Sequence, residues 1–449
     1  MNRDEPKVLQ FPDVRQTLLR RLAESRAITD DLFDRLEPGC LYERPIAERH
    51  RVVFYLGHLE AFDWNLLSGS LGRHASHPAI DAGFNRLFAF GIDPLDTGLP
   101  QDKAADWPAL PAILAYRRDV RQALDDLIDA VPMACESPWV PAPNQGFDAA
   151  CLLNVAIEHR LMHAETLAYM LHRLPVGSLC ADQSETPLPV LDAPAALAPK
   201  MLTIPAGRVV LGTSQDDALA FGWDNEFGAH EVHVPAFDID QHMVTNGQYL
   251  AFMADGGYER AELWTPDDWA WRTRQCIQHP GFWQGNAEQG WRLRAMHQEL
   301  PLPMDWPVYV SHAEASAYAR WAGKVLPSEA QWMRAASGTP ALTAASCNAN
   351  FRRWDPEPVQ AASHFSEFGV AGLFGNGWEW TASPFEPLPG FTAFPFYPGY
   401  SKDFFDGRHF VLKGGSPRTA ACMLRPAFRN WFQAHYQHAY AGFRCAKNH

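Results

Sequence analysis

Residues Ala156–Leu174 read Ala-Ile-Glu-His-Arg-Leu-Met-His-Ala-Glu-Thr-Leu-Ala-Tyr-Met-Leu-His-Arg-Leu. Apolar residues recur at helical spacing, which predicts a member of a helical bundle. His159 and His163 stand at i and i+4, so both imidazoles project from one helix face, about one turn apart. Two ligands of one metal need that geometry. HxxxH also arises by chance in helices, and this chain has 18 histidines. A zincin-type site is excluded, because it needs a Glu beside its first His as general base, and position 160 is Arg. Imidazole by itself does not choose between zinc, iron and copper.

Outward from this stretch, apolar periodicity predicts helices over Val14–Leu36, Ile46–Leu71, Leu110–Ala130 and Phe147–Leu174, a four-helix bundle. His58 lies in the middle of the second, in Tyr55-Leu-Gly-His58-Leu-Glu60, and is the candidate third ligand. Three histidines leave open coordination positions, as catalysis requires and a closed structural site does not. The long connection Phe84–Pro108 is a candidate functional loop. Val176–Pro199, rich in Pro, Ala, Ser and Leu, is read as a linker. The domains expected are therefore 1–178, a linker 179–200, and 201–449.

Beyond Met201 the texture changes. Gly, Pro, Trp and Asn punctuate short apolar runs. Val232–Ile239 is expected as strand, Thr245–Asp255 and Ser311–Gly323 as helices, and Ser328 as the N-cap of a further helix. The fold class is α + (α+β), with limited regular structure in the second part.

Composition removes other functions. Net charge is −14 with no Lys/Arg-rich run, so nucleic acid and anionic membrane are not expected partners. No stretch of about 20 apolar residues predicts a transmembrane helix, and polar Met1–Asp13 has no secretory h-region. The eight cysteines form no CxxC pair and read as thiols of a reducing cytoplasm.

The second part carries a series of blocks: Phe221–Glu226 (FGWDNE), Val244–Tyr249 (VTNGQY), Trp321–Glu329 (WAGKVLPSE), Gly375–Trp380 (GNGWEW), Lys413–Ser416 (KGGS), Arg429–Trp431 (RNW) and Ala441–Arg444 (AGFR). Together they resemble the formylglycine-generating-enzyme/sulfatase-modifying-factor fold, a C-type-lectin-like scaffold, while the first part resembles a DinB-like bundle. The combination resembles the ergothioneine sulfoxide synthase family. The resemblance implies an iron(II) centre held by His58, His159 and His163 between bundle and lectin-like domain, with hercynine, a sulfur donor and O2 as small-molecule partners. It makes Glu165 a residue behind the ligands. Asn430 and Trp431, with Tyr400, would bind hercynine; its trimethylammonium has no hydrogen to donate, so aromatic faces suit it. Arg425, Arg429 and Arg444 are implied to be structural.

Two departures matter. Members that use γ-glutamylcysteine carry arginines in the loop corresponding to Phe84–Trp107, whereas this loop is acidic and has no arginine after Arg86. Phe432 stands at the position after the Asn-Trp pair, where the resemblance implies an acid in some such members. A neutral, hydroxyl-rich donor fits better, which points to the selenoneine-forming branch and a selenosugar. The proton-supplying tyrosine of the thiol-using enzymes aligns with Phe396 or Tyr397; Tyr397 is the candidate. Rival readings are a cysteine-type thiol donor, a formylglycine-generating oxidase using Cys422 and Cys445, a zinc-dependent DinB thiol transferase, and a non-catalytic lectin-like module.

Overall fold

The computed structural model describes residues 14–70, 80–89, 101–131, 149–181, 198–214, 221–340 and 346–449. The leader reading at Met1–Asp13, Asp93 and Asp96 of the acidic loop, and most of the expected linker lie outside them. The chain divides into two compact units. The first holds the described residues up to Asp34 and from Leu41 to His163. The second holds Arg35–Cys40 and the described residues from Ala164 on, apart from Phe221.

The first unit is helical: α1 (Val14–Asp34), α2 (Val52–Ser70), α3 (Ala82–Phe88), α4 (Leu110–Ala130) and α5 (Ala149–Leu171), whose last residues belong to the second unit. On α4 the buried residues Ile113, Tyr116, Val120, Ala123, Leu124 and Leu127 form one apolar stripe, and Pro111 in its first turn costs no hydrogen bond. By contrast, α2 and α5 are buried almost all round, as central helices must be. The short helix α3 was not expected from periodicity. Asp81 caps it, its carboxylate accepting the N–H groups of Gly83 and Phe84.

The second unit has short strands: β1 (Met201–Ile204), β2 (Gly207–Leu211), β3 (His230–Val234), β4 (Phe237–Asp240), β5 (Trp283–Asn286), β6 (Gly290–Arg294), β7 (Glu299–Pro301), β8 (Gly377–Pro384), β9 (His409–Gly415), β10 (Asn430–Gln433), β11 (Ala441–Gly442) and β12 (Ala446–Asn448). Their sheets run β1-β4-β12, β2-β3, β5-β6-β7 and β10-β9-β8-β11. The single strand expected over Val232–Ile239 is two, β3 and β4, in different sheets. Pro235 between them has no N–H for a ladder, so pairing breaks there.

Among the described residues, four α-helices join these strands: α6 (Asn246–Ala254), α7 (Pro266–Arg274), α8 (His312–Trp321) and α9 (Glu329–Ala335). Thr245, Thr265, Ser311 and Ser328 cap them, each side chain accepting an N–H from the first turn. One core cluster packs Trp332 and Phe374 against Ile204, Phe237 and Ile239. Among the described residues, no helix is long and apolar enough to cross a membrane, and no disulfide is present.

Candidate metal centre

The two central helices of the first unit bring His58, from α2, to His159 and His163, from α5. All three imidazoles are buried. One nitrogen from each falls in a group whose members lie within 4.8 Å of one another. Ring centroids are 5.4 Å apart for His58 and His159, 5.1 Å for His58 and His163, and 4.4 Å for His159 and His163. The Nε2 atoms of His159 and His163 face each other at 3.1 Å, a separation that two bonds of about 2.1 Å to one ion can span.

His58 is oriented by its other nitrogen. Its Nδ1–H donates to the carbonyl of Phe88 at 2.7 Å. That fixes the tautomer and leaves a lone pair on Nε2, which is buried and makes no hydrogen bond among the described residues. The approach depends on Gly57. A Cβ there would meet the Phe88 ring at 2.4 Å, so the helix accepts an interior glycine at a cost of about 1 kcal/mol. Sequence reasoning found His58 but not this partner, which sits on the unforeseen α3.

Burial pushes His58 down to about 4, with the Phe88 carbonyl partly opposing, and holds His159 and His163 well below the ordinary histidine value, aided by their neighbouring imidazoles. All three are therefore neutral at physiological pH, the state in which imidazole binds metal. Aromatic rings of α2 back them. Phe62 stacks on His159 at 3.4 Å, and Phe54 on His58 at 4.8 Å. A buried, neutral, three-imidazole donor set with convergent lone pairs fits a transition metal with room for further ligands.

Arg160, where a zincin would have its Glu one residue after His159, is fully buried and bonds Glu60 and Asp63 of α2. Glu60 is also bonded by Arg121, so its oxygens are committed to guanidinium groups. Glu165, in the second unit, accepts hydrogen bonds from Trp378 Nε1 at 2.8 Å, Thr419 Oγ1 at 2.9 Å and Ser416 Oγ.

The remaining candidates lie in the second unit. Tyr400 is buried, stacks on Trp223 at 3.9 Å, and meets Trp431 edge-on at 5.2 Å. Trp431 is half-buried and stacks on Phe385 at 4.2 Å. Tyr397 leans on Tyr400 at 5.5 Å, while Phe396 stacks on Phe394. Tyr397, Tyr400 and Trp431 thus form one aromatic cluster. Trp223 and Phe385 complete it; Trp223 stood in a quoted block, but its partner was not foreseen. Asn430 accepts the Trp431 N–H through Oδ1 at 2.9 Å, which leaves its amide NH2 as donor. Phe432 stands apart from that cluster, stacked on Tyr436 at 4.8 Å. Arg425, Arg429 and Arg444 are engaged with Glu226, Glu329 and Glu379. Cys445 is fully buried and Cys422 half-buried; burial raises the Cys445 thiol well above its ordinary value, the opposite of a reactive thiolate.

Comparison with known proteins identifies both parts of the chain. Residues 21–167 match the DinB superfamily and residues 189–449 the sulfatase-modifying factor enzyme 1-like domain. A hercynine oxygenase of Mycolicibacterium smegmatis is 35% identical over 74% of this chain and 77% of its own length. One of Mycobacterium tuberculosis is 31% identical over 96% of this chain and 98% of its own. The ergothioneine biosynthesis protein 1 of Neurospora crassa is 26% identical over 91% of this chain and 55% of its own. The helical half, the loop-rich half and the full-length likeness agree: the chain belongs to the hercynine oxygenase family of enzymes.

Proposed function

We propose that this chain is a non-haem iron(II), O2-dependent enzyme that forms a carbon–chalcogen bond on the imidazole of hercynine, with a selenosugar as donor and selenoneine as product. The observation that carries the reading is the buried triad His58, His159 and His163 in a chain of the hercynine oxygenase family. The family resemblance implies iron(II), which has the redox chemistry that zinc lacks; these imidazoles would hold it, and bound there it would activate O2.

Residues 1–178 then carry the metal ligands and 201–449 the betaine pocket, with 179–200 as connector. The trimethylammonium lies against the faces of Trp431 and Tyr400, and the Asn430 amide donates to the carboxylate. Tyr397 holds a proton at its phenol oxygen for the reaction. Phe432 presents an apolar surface to the donor. Small molecules are the partners that the hercynine oxygenase relatives support, and a reducing cytoplasm suits the free thiols of the described cysteines.

For the donor, the supporting observation is the fate of the arginines. Arg44 and Arg51 both pair with Asp102, and Arg86 is exposed on α3. Arg44 and Arg51 are thus already committed to a carboxylate, whereas a sugar asks for hydroxyl acceptors and ring faces. The second reading is a cysteine-type thiol donor with an ergothioneine sulfoxide product. The name of the Neurospora relative favours it.

The test is anaerobic reconstitution with Fe(II), then air with hercynine and either a 1-selenosugar or γ-glutamylcysteine, with products read by mass spectrometry. A hercynine–selenium product from the sugar alone supports the first reading, and a sulfoxide from γ-glutamylcysteine the second. No product with O2 unconsumed overturns both. His159→Ala is expected to lose stoichiometric iron and to lower turnover at least about a thousandfold; retained turnover would remove the ligand assignment.

A further inference from the structure

The two helices that carry the imidazoles are held together, beside the triad, by a buried knot of charge. Arg160 is fully buried. Its Nη2 donates to Asp63 Oδ2 at 2.6 Å, Glu60 Oε2 at 2.9 Å and the Leu59 carbonyl at 3.2 Å, and its Nη1 donates to Glu60 Oε1 at 3.2 Å. Glu60 is also bonded by Arg121 at 2.9 Å, and Arg121 and Arg117 both reach Asp30 on α1. Four helices are thus tied at the level of the metal centre.

Helical geometry places this knot beside the metal ligands and off their face. On α2, Phe54, His58 and Phe62 recur every four residues on one face, while Glu60 and Asp63 point to the other side. On α5, Arg160 follows His159 and is turned by about 100°. The seam between the helices therefore has imidazoles along one side and ions along the other. Arg160 spans from α5 to the Glu60 and Asp63 carboxylates of α2.

We propose that Arg160 is a positioning residue. As a strut between α5 and the Glu60/Asp63 pair of α2, it fixes the register and separation that make His58 converge with His159 and His163. The inference rests on reading the triad as a metal site. A guanidinium suits the task because its planar fork reaches two carboxylates and a carbonyl together, which an ammonium on a flexible stem does not. Buried ion sets add little net stability, and in some proteins their use is to specify register. Replacing the strut should therefore change the metal site more than the fold.

The test uses the full chain titrated with Co(II), whose d–d absorption reports ligand geometry without turnover. Arg160→Met/Asp63→Leu removes one cation and one anion together. It leaves Glu60 and Asp30 paired with Arg121 and Arg117. This variant is expected to unfold cooperatively near the wild-type temperature, yet to bind Co(II) at least about tenfold more weakly and with an altered d–d spectrum. Arg160→Lys, which keeps the charge, should also bind more weakly than wild type and is the decisive variant if the double variant does not fold. Co(II) affinity within twofold of wild type with an unchanged spectrum, in whichever variant folds, overturns the strut. A wild-type chain that binds no Co(II) overturns the metal reading itself, and the strut with it.

Discussion

The two units bury charge in different ways. In the first, helices α1, α2, α4 and α5 send Asp30, Glu60, Asp63, Arg117, Arg121 and Arg160 into one shared knot. In the second, the sets are smaller and separate: Arg425 on Glu226, Arg429 with Lys413 on Glu329, and Arg444 on Glu379. The contrast follows from architecture. Packed helices bring several long side chains to one level, whereas a loop-rich scaffold fastens one irregular segment at a time. A shared knot has spare cations; Glu379 has Arg444 and the neutral Trp332 Nε1–H.

The largest test of that contrast is Arg444→Met. All its donors are used: on Glu379 at 2.6 Å twice, and on the carbonyls of Asp240, Gln241 and Ala371. Removal leaves the buried Glu379 carboxylate without a countercharge, bonded by the Trp332 Nε1–H, and chemical denaturation should show a loss of about 3–5 kcal/mol. Arg121→Met in the first unit should cost less, about 1–2 kcal/mol. Glu60 keeps Arg160, and Asp30 keeps Arg117. Equal losses in the two variants would break the comparison.

A smaller effect concerns a buried acid that is bonded by neutral donors. Asp224 is 1% exposed and accepts from Ser401 Oγ and the Phe394 N–H. Burial outweighs these donors and raises its carboxyl from 3.8 to about 6. Its protonated form is thus favoured on folding. The resulting stability is fully present below pH 3.8 and is lost as pH rises through about 6. Asp224→Asn should flatten that part of the profile, a change of about 1–2 kcal/mol between pH 4.5 and 7 in paired denaturation series. A parallel shift of the two profiles would show that Asp224 does not titrate there.

How much of this was legible beforehand also divides between the units. Periodicity placed α4 at its observed bounds and α5 within a few residues, because a helix that buries one stripe or all faces announces it locally. The i, i+4 spacing brought His159 to His163, and the bundle reading supplied His58. The Phe88 carbonyl was not legible, since it depends on a close approach over Gly57 that only tertiary packing reveals. Nor was the Arg160 strut, because pairing across α2 and α5 requires the rotation of both helices. In the second unit, the capping residues Thr245, Ser311 and Ser328 marked helix starts correctly. Thr265-Pro266 carried the same signal for α7 and was overlooked. The strands were hidden, as four-residue runs carry too little alternation to separate β3 from β4.

One pairing described above bears on how the chain is made. Strand β4 takes β1 as neighbour on one side and β12 on the other. Asp238 of β4 lies opposite both Thr203 and Lys447. During synthesis the first half of this sheet emerges early, then presents an unsatisfied edge while some two hundred further residues are added, until β12 arrives. Closure of the second unit is consequently a late event of high contact order. Over that interval the open edge of β4 is a template on which another chain can pair.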